Sequence, residues 1–330
     1  MSRADTVGIV GAGSFGSALA AVVASTGRRV ILWSRDPDVV AAIERDRRSP
    51  RLPAALMPPS VSATTEARRV TTEARLIVLA VASTDVRERA REFGRLLDGN
   101  HLLVHAVGAL ASPGAERVTE VMTQETPVLR LGALAGPALP ADLAAGQFSS
   151  MVVASRFDEV IAEARRLLNA PPVLRIYTSH DVIGVELAAA LSGAYTIALG
   201  IADAGGIGPG PRAVLVTRGL AEASRLGAAA GGDAKTFSGL AGLGNLLGRS
   251  RATDGRAARD YAFGLAIAAG NLPPEADWPE GARAAIAGKR LAERYGVRMP
   301  LLRGLAGVLT GQIAVADAAR LAADQVATEE

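Results

Sequence analysis

The residues best placed to do chemistry stand near the amino terminus, in the run Gly11-Ala12-Gly13-Ser14-Phe15-Gly16. Three glycines at this spacing form the pattern of a backbone cradle for a pyrophosphate. Gly11 permits a tight turn, Gly13 lets the chain approach the phosphates, and Gly16 allows a helix to pack closely on its strand. Ser14 and Phe15 complete the turn, and a helix opening there aims free N–H groups at an anion. The spacing alone is weak; its context makes it strong. The β-branched run Thr6–Val10 precedes it, a helical stretch over 17–25 follows, and a second strand, Arg29–Trp33, comes at βαβ distance. That strand ends in Trp33-Ser34-Arg35. An NAD-specific tip usually carries Asp or Glu to accept hydrogen bonds from the ribose hydroxyls. A hydroxyl at Ser34 and a planar cation at Arg35 suit a 2′-phosphate instead. NADP(H) is therefore the preferred nucleotide and NAD(H) the other. A solvated Arg35 beside Asp36 is the alternative reading of that residue.

His105 falls near the C-terminal end of a later strand, where open α/β sheets place ligands. It reads as a proton donor or as a satisfied, partly buried histidine. His101 and His180 are too scattered to complete a metal cluster, and no cysteine exists to build a metal site, a disulfide or a thiol nucleophile. No metal is expected. The formal net charge is +3, and among 36 basic residues only Lys235 and Lys289 are lysines. Without a dense basic run or an aromatic-basic platform, nucleic acid is not an expected partner; a small molecule is. The chain enters its first strand too soon for a signal peptide, and no apolar run reaches the roughly 20 residues of a membrane helix. A cytoplasmic protein is the expectation.

These residues need a frame, and 330 residues suffice for two domains. The first half alternates β-branched runs with helical stretches, the pattern of a doubly wound, mostly parallel α/β sheet. Beyond the first βαβ unit, the reading gives a helix over 37–47 and a proline-rich loop over 50–59. A fully buried strand over 76–81 and a helix over 84–97 follow, then strands over 102–107, 128–131 and 150–153. After His180 the texture becomes Ala/Leu-rich and helical, with helices over 182–199, 211–226, 261–269 and 281–295. The run Gly205-Gly206-Ile207-Gly208-Pro209-Gly210 separates the first two. Residues 1–179 are thus expected to form the nucleotide-binding Rossmann domain and 180–330 an all-helical domain.

Taken in order, further segments resemble the bacterial NAD(P)-dependent glycerol-3-phosphate dehydrogenases over nearly the whole chain. They are the glycine turn, Leu32-Trp33-Ser34-Arg35, Gly136-Pro137 with Asp142-Leu143-Ala144-Ala145-Gly146, and Gly184-Val185-Glu186-Leu187. Thr217-Arg218-Gly219-Leu220-Ala221-Glu222, Ala241-Gly242-Leu243-Gly244, Glu280-Gly281 and Gly296-Val297-Arg298-Met299-Pro300 continue the likeness. The resemblance implies a Rossmann domain followed by a helical substrate and dimerisation domain of the 6-phosphogluconate-dehydrogenase-like type, usually a homodimer. It implies hydride transfer between NAD(P)H and dihydroxyacetone phosphate or sn-glycerol 3-phosphate, in glycerophospholipid metabolism. It gives Glu280 a contact with the cofactor and places Gly136, Asn245 and Arg259 at the substrate, Arg259 on its phosphate.

The resemblance also puts lysines where this chain has Gly108, Ala141 and Ser192, the last being the catalytic position, and an aspartate where Asn245 stands. A hydroxyl at 192 neither carries charge nor titrates near neutrality, so the native reaction is expected to be impaired. Asp260, beside Arg259, adds negative charge near the expected phosphate or neutralises that arginine. Tyr195 lies three residues past Ser192 and shares its helix face, which makes it, with His105, a substitute donor. Three outcomes stand open: slow turnover of the family substrate, reduction of a different carbonyl or imine, or nucleotide binding without catalysis.

Overall fold

The computed structural model describes residues 3–250 and 255–317 of the chain, with the side chains of 255–258 left out. β1 (Thr6–Val10) leads into α1 (Ser14–Ala24), and β2 (Arg29–Trp33) into α2 (Pro37–Asp46). A short ribbon, β3 (Arg48–Ser49) with β4 (Leu52–Leu56), precedes β5 (Val61–Thr64) and α3 (Ala67–Glu73). There follow β6 (Leu76–Leu79), α4 (Val86–Gly94), β7 (Leu102–His105), α5 (Val118–Glu125) and β8 (Leu131–Ala135). α6 (Pro140–Ala144), β9 (Ser149–Ser155), α7 (Asp158–Leu168) and β10 (Leu174–Ser179) complete this half. One eight-stranded sheet runs in the order β10-β9-β8-β7-β6-β1-β2-β5, parallel throughout except where β8 meets β9. Alternate side chains feed two cores, as the strand period of two requires. Val7, Ile9, Leu32 and Val78 meet α1, α2 and α7 on one face; Val10, Ile31, Ile77 and Leu103 meet α3, α4 and α5 on the other.

The remainder is helical: α8 (Val182–Ala204), α9 (Pro209–Ala229), α10 (Asn245–Arg249), α11 (Gly255–Ala268), α12 (Glu280–Tyr295) and α13 (Pro300–Leu309), with a π-turn over Leu240–Gly244 before α10. α8 is the axis of a third core that also takes in Ala133, Ala135, Val152 and Ala154 from the sheet. By length and composition α8 could cross a membrane, at mean hydropathy 1.7 over its best window, yet 89% of that window is buried inside this fold. Glu186 and Asp203 interrupt α8, so its uncharged run over 187–202 stays under the roughly 20 residues of a membrane helix.

Four strand assignments change. The proline-rich segment 50–59 is not a loop throughout, because Leu52–Leu56 pairs with Arg48–Ser49 and buries Ala55, with Met57 buried just beyond it. Pro53 is tolerated there since an edge strand can lose a donor. The strand expected over 128–131 lies at Leu131–Ala135, whose small residues hid it behind the β-branched Val128. β5 and β10 were missed, although Leu174–Ser179 alternates buried Leu174 and Ile176 with exposed Arg175 and Tyr177, the signature of a half-covered edge strand.

Candidate active site

A cleft of about 290 Å³ opens beyond the C-terminal ends of β1, β6 and β7, between the sheet and the helices. That is where the crossing order of an open α/β sheet leaves a crevice. Ser14 and Phe15 of the glycine turn line it. Gly11 holds φ +116°, and a Cβ there would stand 2.4 Å from the Ala80 carbonyl oxygen. A Cβ on Gly16 would stand 1.9 Å from the Gly11 carbonyl oxygen, so both glycines are required by the fold itself. Gly13 is not: a Cβ there meets nothing within 4 Å, which leaves room for a ligand beside its backbone. α1 begins at Ser14, earlier than position 17, so Ser14, Phe15 and Gly16 form its first turn and their N–H groups lack a carbonyl four residues back. Ser14 Oγ is buried without a partner, as is Glu280 Oε2. Both residues line the cleft, and Glu280 Oε1 accepts from the Ser83 N–H at 3.0 Å. Unpaired buried acceptors and donors of this kind cost free energy unless a ligand or water meets them. Ser14 and the first-turn N–H groups fit the pyrophosphate of a dinucleotide, whereas the Glu280 carboxylate fits a hydrogen-bond donor, a hydroxyl or an amide N–H.

At the tip of β2, Ser34 is buried and its Oγ accepts from the Asp36 N–H at 3.1 Å, leaving the hydroxyl proton to donate. Arg35 is 65% exposed, with Asp85 Oδ2 3.4 Å away. Asp36 does not pair with it. Its carboxylate caps α2 by accepting from the Asp38 and Val39 N–H groups.

The opposite wall carries the positions that resemblance assigns to substrate. Gly136 and Asn245 line it, and Asn245 is buried with no side-chain hydrogen bond to a described residue. Arg259 lines it too, exposed and without an ion pair among the described residues; the side chain of Ala258 lies outside them. Asp260 is not the partner of Arg259. It is 1% exposed, its Oδ2 takes Arg249 Nη2 at 2.5 Å and its Oδ1 takes the Gly281 N–H at 2.9 Å. Burial pushes the Asp260 carboxyl up from its ordinary value, opposed by Arg249 and the Gly281 N–H. Ser192 is 3% exposed, and its Oγ donates to the Ala188 carbonyl oxygen at 2.6 Å, with the Gly242 carbonyl oxygen at 3.2 Å. Gly108 lines the cleft; Ala141, on α6, does not. Arg249 is the residue that sequence reasoning missed. A cation four residues past Asn245 carries no signal until the fold sets it opposite Gly108.

The sequence pattern of the NAD-dependent glycerol-3-phosphate dehydrogenase N-terminus matches residues 6–161, and that of the C-terminus of the same enzyme matches 181–320. The chain belongs to the NAD-dependent glycerol-3-phosphate dehydrogenase family. Among its relatives, glycerol-3-phosphate dehydrogenase [NAD(P)+] of Rhizobium etli (strain CIAT 652) is 34% identical over 320 residues, covering 95% of this chain and 96% of that one. The protein of the same name from Sinorhizobium fredii is 35% identical, covering 99% and 98%. The crystal structure of glycerol-3-phosphate dehydrogenase from Coxiella burnetii superposes with a TM-score of 0.90 at 28% identity, over 97% of this chain and 99% of that one.

The two substitute proton donors do not reach the cleft of this family member. His105 is buried at the end of β7, where its Nδ1 accepts from the Val107 N–H at 3.3 Å and its Nε2 faces Glu186 Oε1 at 3.0 Å. The ring lies within a closed network. Tyr195 is 3% exposed, and its hydroxyl donates to Glu222 Oε2 at 3.1 Å. Glu222 in turn accepts from the Leu301 and Leu302 N–H groups at the start of α13. Burial, then the Glu222 carboxylate, pushes the phenol well above its ordinary value, the wrong direction for an acid at neutral pH. Tyr195 ties α8 to α9 and α13. Tyr195→Phe is expected to cost about 1 kcal/mol of stability, read by urea denaturation, with nucleotide affinity unchanged. A loss of nucleotide binding in a folded variant would contradict this placement.

Proposed function

We propose that this chain binds a nicotinamide nucleotide over the glycine turn, NADP(H) in preference to NAD(H), and interconverts dihydroxyacetone phosphate and sn-glycerol 3-phosphate slowly. The observation that carries the reading is Ser192, a buried hydroxyl whose proton is spent on the Ala188 carbonyl oxygen at the position where resemblance puts the catalytic lysine. The names of the Rhizobium etli and Sinorhizobium fredii relatives support both the substrate and the nucleotide.

The bound nucleotide would supply the hydride. The first-turn N–H groups of α1 would hold its pyrophosphate, aided by the positive end of the helix dipole, with Ser14 Oγ and Glu280 Oε2 finding the partners they lack. Arg259 and Asn245 would orient the substrate. Neither Ser192, Tyr195 nor His105 donates a proton into the cleft, so the oxygen that receives negative charge takes its proton from water. A positioned general acid is worth roughly 10²–10⁴-fold, and the turnover is reduced on that scale. Residues 1–179 act as the nucleotide domain and 180–330 as the substrate domain.

Calorimetric titration with NADPH and NADH, and NADPH absorbance with dihydroxyacetone phosphate at high enzyme concentration, test the reading. Tight nucleotide binding with slow turnover supports it. Binding with no turnover would make the chain a nucleotide-binding protein, and no binding of either nucleotide would sink the proposal altogether. The preference for NADP(H) rests on Arg35: Arg35→Ala should raise the Kd for NADPH about tenfold, the lower end of a charge-assisted contact, and leave that for NADH alone. An equal effect on both would remove the 2′-phosphate from the account.

A further inference from the structure

Arg249 ends α10 with its side chain 14% exposed, on the cleft wall opposite the glycine turn. Its Nη2 is committed to Asp260, and its Nε is buried without a partner. Its Nη1 makes no hydrogen bond to a described residue and stands 3.5 Å from where a Cβ on Gly108 would lie. The absence of a side chain at 108 thus leaves open cleft against that end of the guanidinium. Asp260 is itself fixed by the Gly281 N–H at the start of α12, so the cation is held in one pose by two helices. A guanidinium remains charged in a protein, and one so far from bulk water acts through a lower effective dielectric than a surface arginine does. A preorganised, partly unsatisfied cation facing a substrate-sized cleft is built to receive negative charge on an oxygen.

We propose that Arg249 holds an anionic oxygen of the substrate, through the Nη1 end that faces Gly108. The ligand class is a small hydroxy or oxo compound bearing a phosphate or a carboxylate. The inference rests on reading this cleft as the substrate site, and it makes Arg249, rather than the exposed Arg259 alone, the residue that senses the anion.

The test uses the full-length protein and two probes, glycerol 3-phosphate and glycerate, titrated calorimetrically with and without saturating NADP+. Whichever probe the wild type binds, Arg249→Met should weaken it about 10- to 100-fold, the scale of a charge-assisted hydrogen bond. Arg249→Lys should recover part of the loss, and the affinity for NADP+ should not change. If removal of the guanidinium strands the buried Asp260 and the variant does not fold, the pair Arg249→Met/Asp260→Asn removes both charges together and gives the same reading. Unaltered probe affinity in a folded variant would overturn the proposal. So would a wild type that binds neither probe at millimolar concentration while still taking up nucleotide, whereas failure of the nucleotide titration bears on the proposed function alone.

Discussion

Ser192→Lys should raise the rate of dihydroxyacetone phosphate reduction by roughly 10²–10⁴-fold, the contribution of a positioned proton donor. Position 192 lies on α8 one turn beyond Ala189, which lines the cleft, so both share a helix face. The longer side chain must enter a nearly closed site, and overpacking of that kind costs typically about 1–3 kcal/mol. The variant should therefore be less stable and more active at once, a combination that general tightening of the fold would not give. NADPH absorbance follows the first and urea denaturation the second. The substitution is best made without Gly108→Lys, because a cation on that residue would point at Arg249. A folded Ser192→Lys protein that binds nucleotide and shows no gain would mean that the missing lysine is not what limits the reaction.

Glu186→Gln should cost roughly 3–5 kcal/mol of stability at neutral pH, the scale of stranding one partner of a buried ion pair. The Glu186 carboxylate is buried and collects four hydrogen bonds, from the Thr119 N–H at 2.8 Å, Thr119 Oγ1 at 2.6 Å, Arg117 Nη1 at 2.9 Å and His105 Nε2 at 3.0 Å. An amide offers one oxygen to these donors and turns an N–H₂ group towards the rest. Burial by itself would push the Glu186 pKa up; His105, then Arg117 and Thr119, outweigh burial and hold it below the ordinary carboxylate value. A depressed folded pKa contributes stability that is present above the unfolded value, near 4.3, and is lost as pH falls through the folded one. The wild type should therefore lose this advantage in acid, and the two proteins should converge there. Urea midpoints at neutral pH and below pH 4 read the difference directly. Parallel curves at all pH values would show that the carboxylate charge does not matter.

The glycine turn was legible because each of its glycines answers a local constraint, and local constraints survive in sequence. The long helices were legible from composition, though their ends were not: α11 begins six residues before Tyr261, and α8 runs five residues past Leu199. Edge strands such as β5 and β10 carry a weak pattern because one of their faces, or one of their flanks, meets solvent. The substitutions at Gly108 and Ser192 could be read only against the family, and reading them one at a time showed cations lost and none gained. The fold shows otherwise. Arg249 reaches Gly108 only because the turn through Leu240–Gly244 and α10 folds back against the sheet, and Asp260 is answered by that arginine rather than by its neighbour Arg259. Pairing across the chain is set by tertiary packing, so no spacing rule could have announced it.

The single contact from Glu280 to the Ser83 N–H spans from the first residue of α12 to the loop that follows β6, bridging the two halves at the mouth of the crevice. Any hinge-like swing wide enough to admit a dinucleotide from that side must sever it and leave a carboxylate seeking water. Behind it the four bonds of Glu186 to His105, Arg117 and Thr119 fasten the same two halves, so the Glu280 clasp guards one edge of the crevice and is not its sole tie.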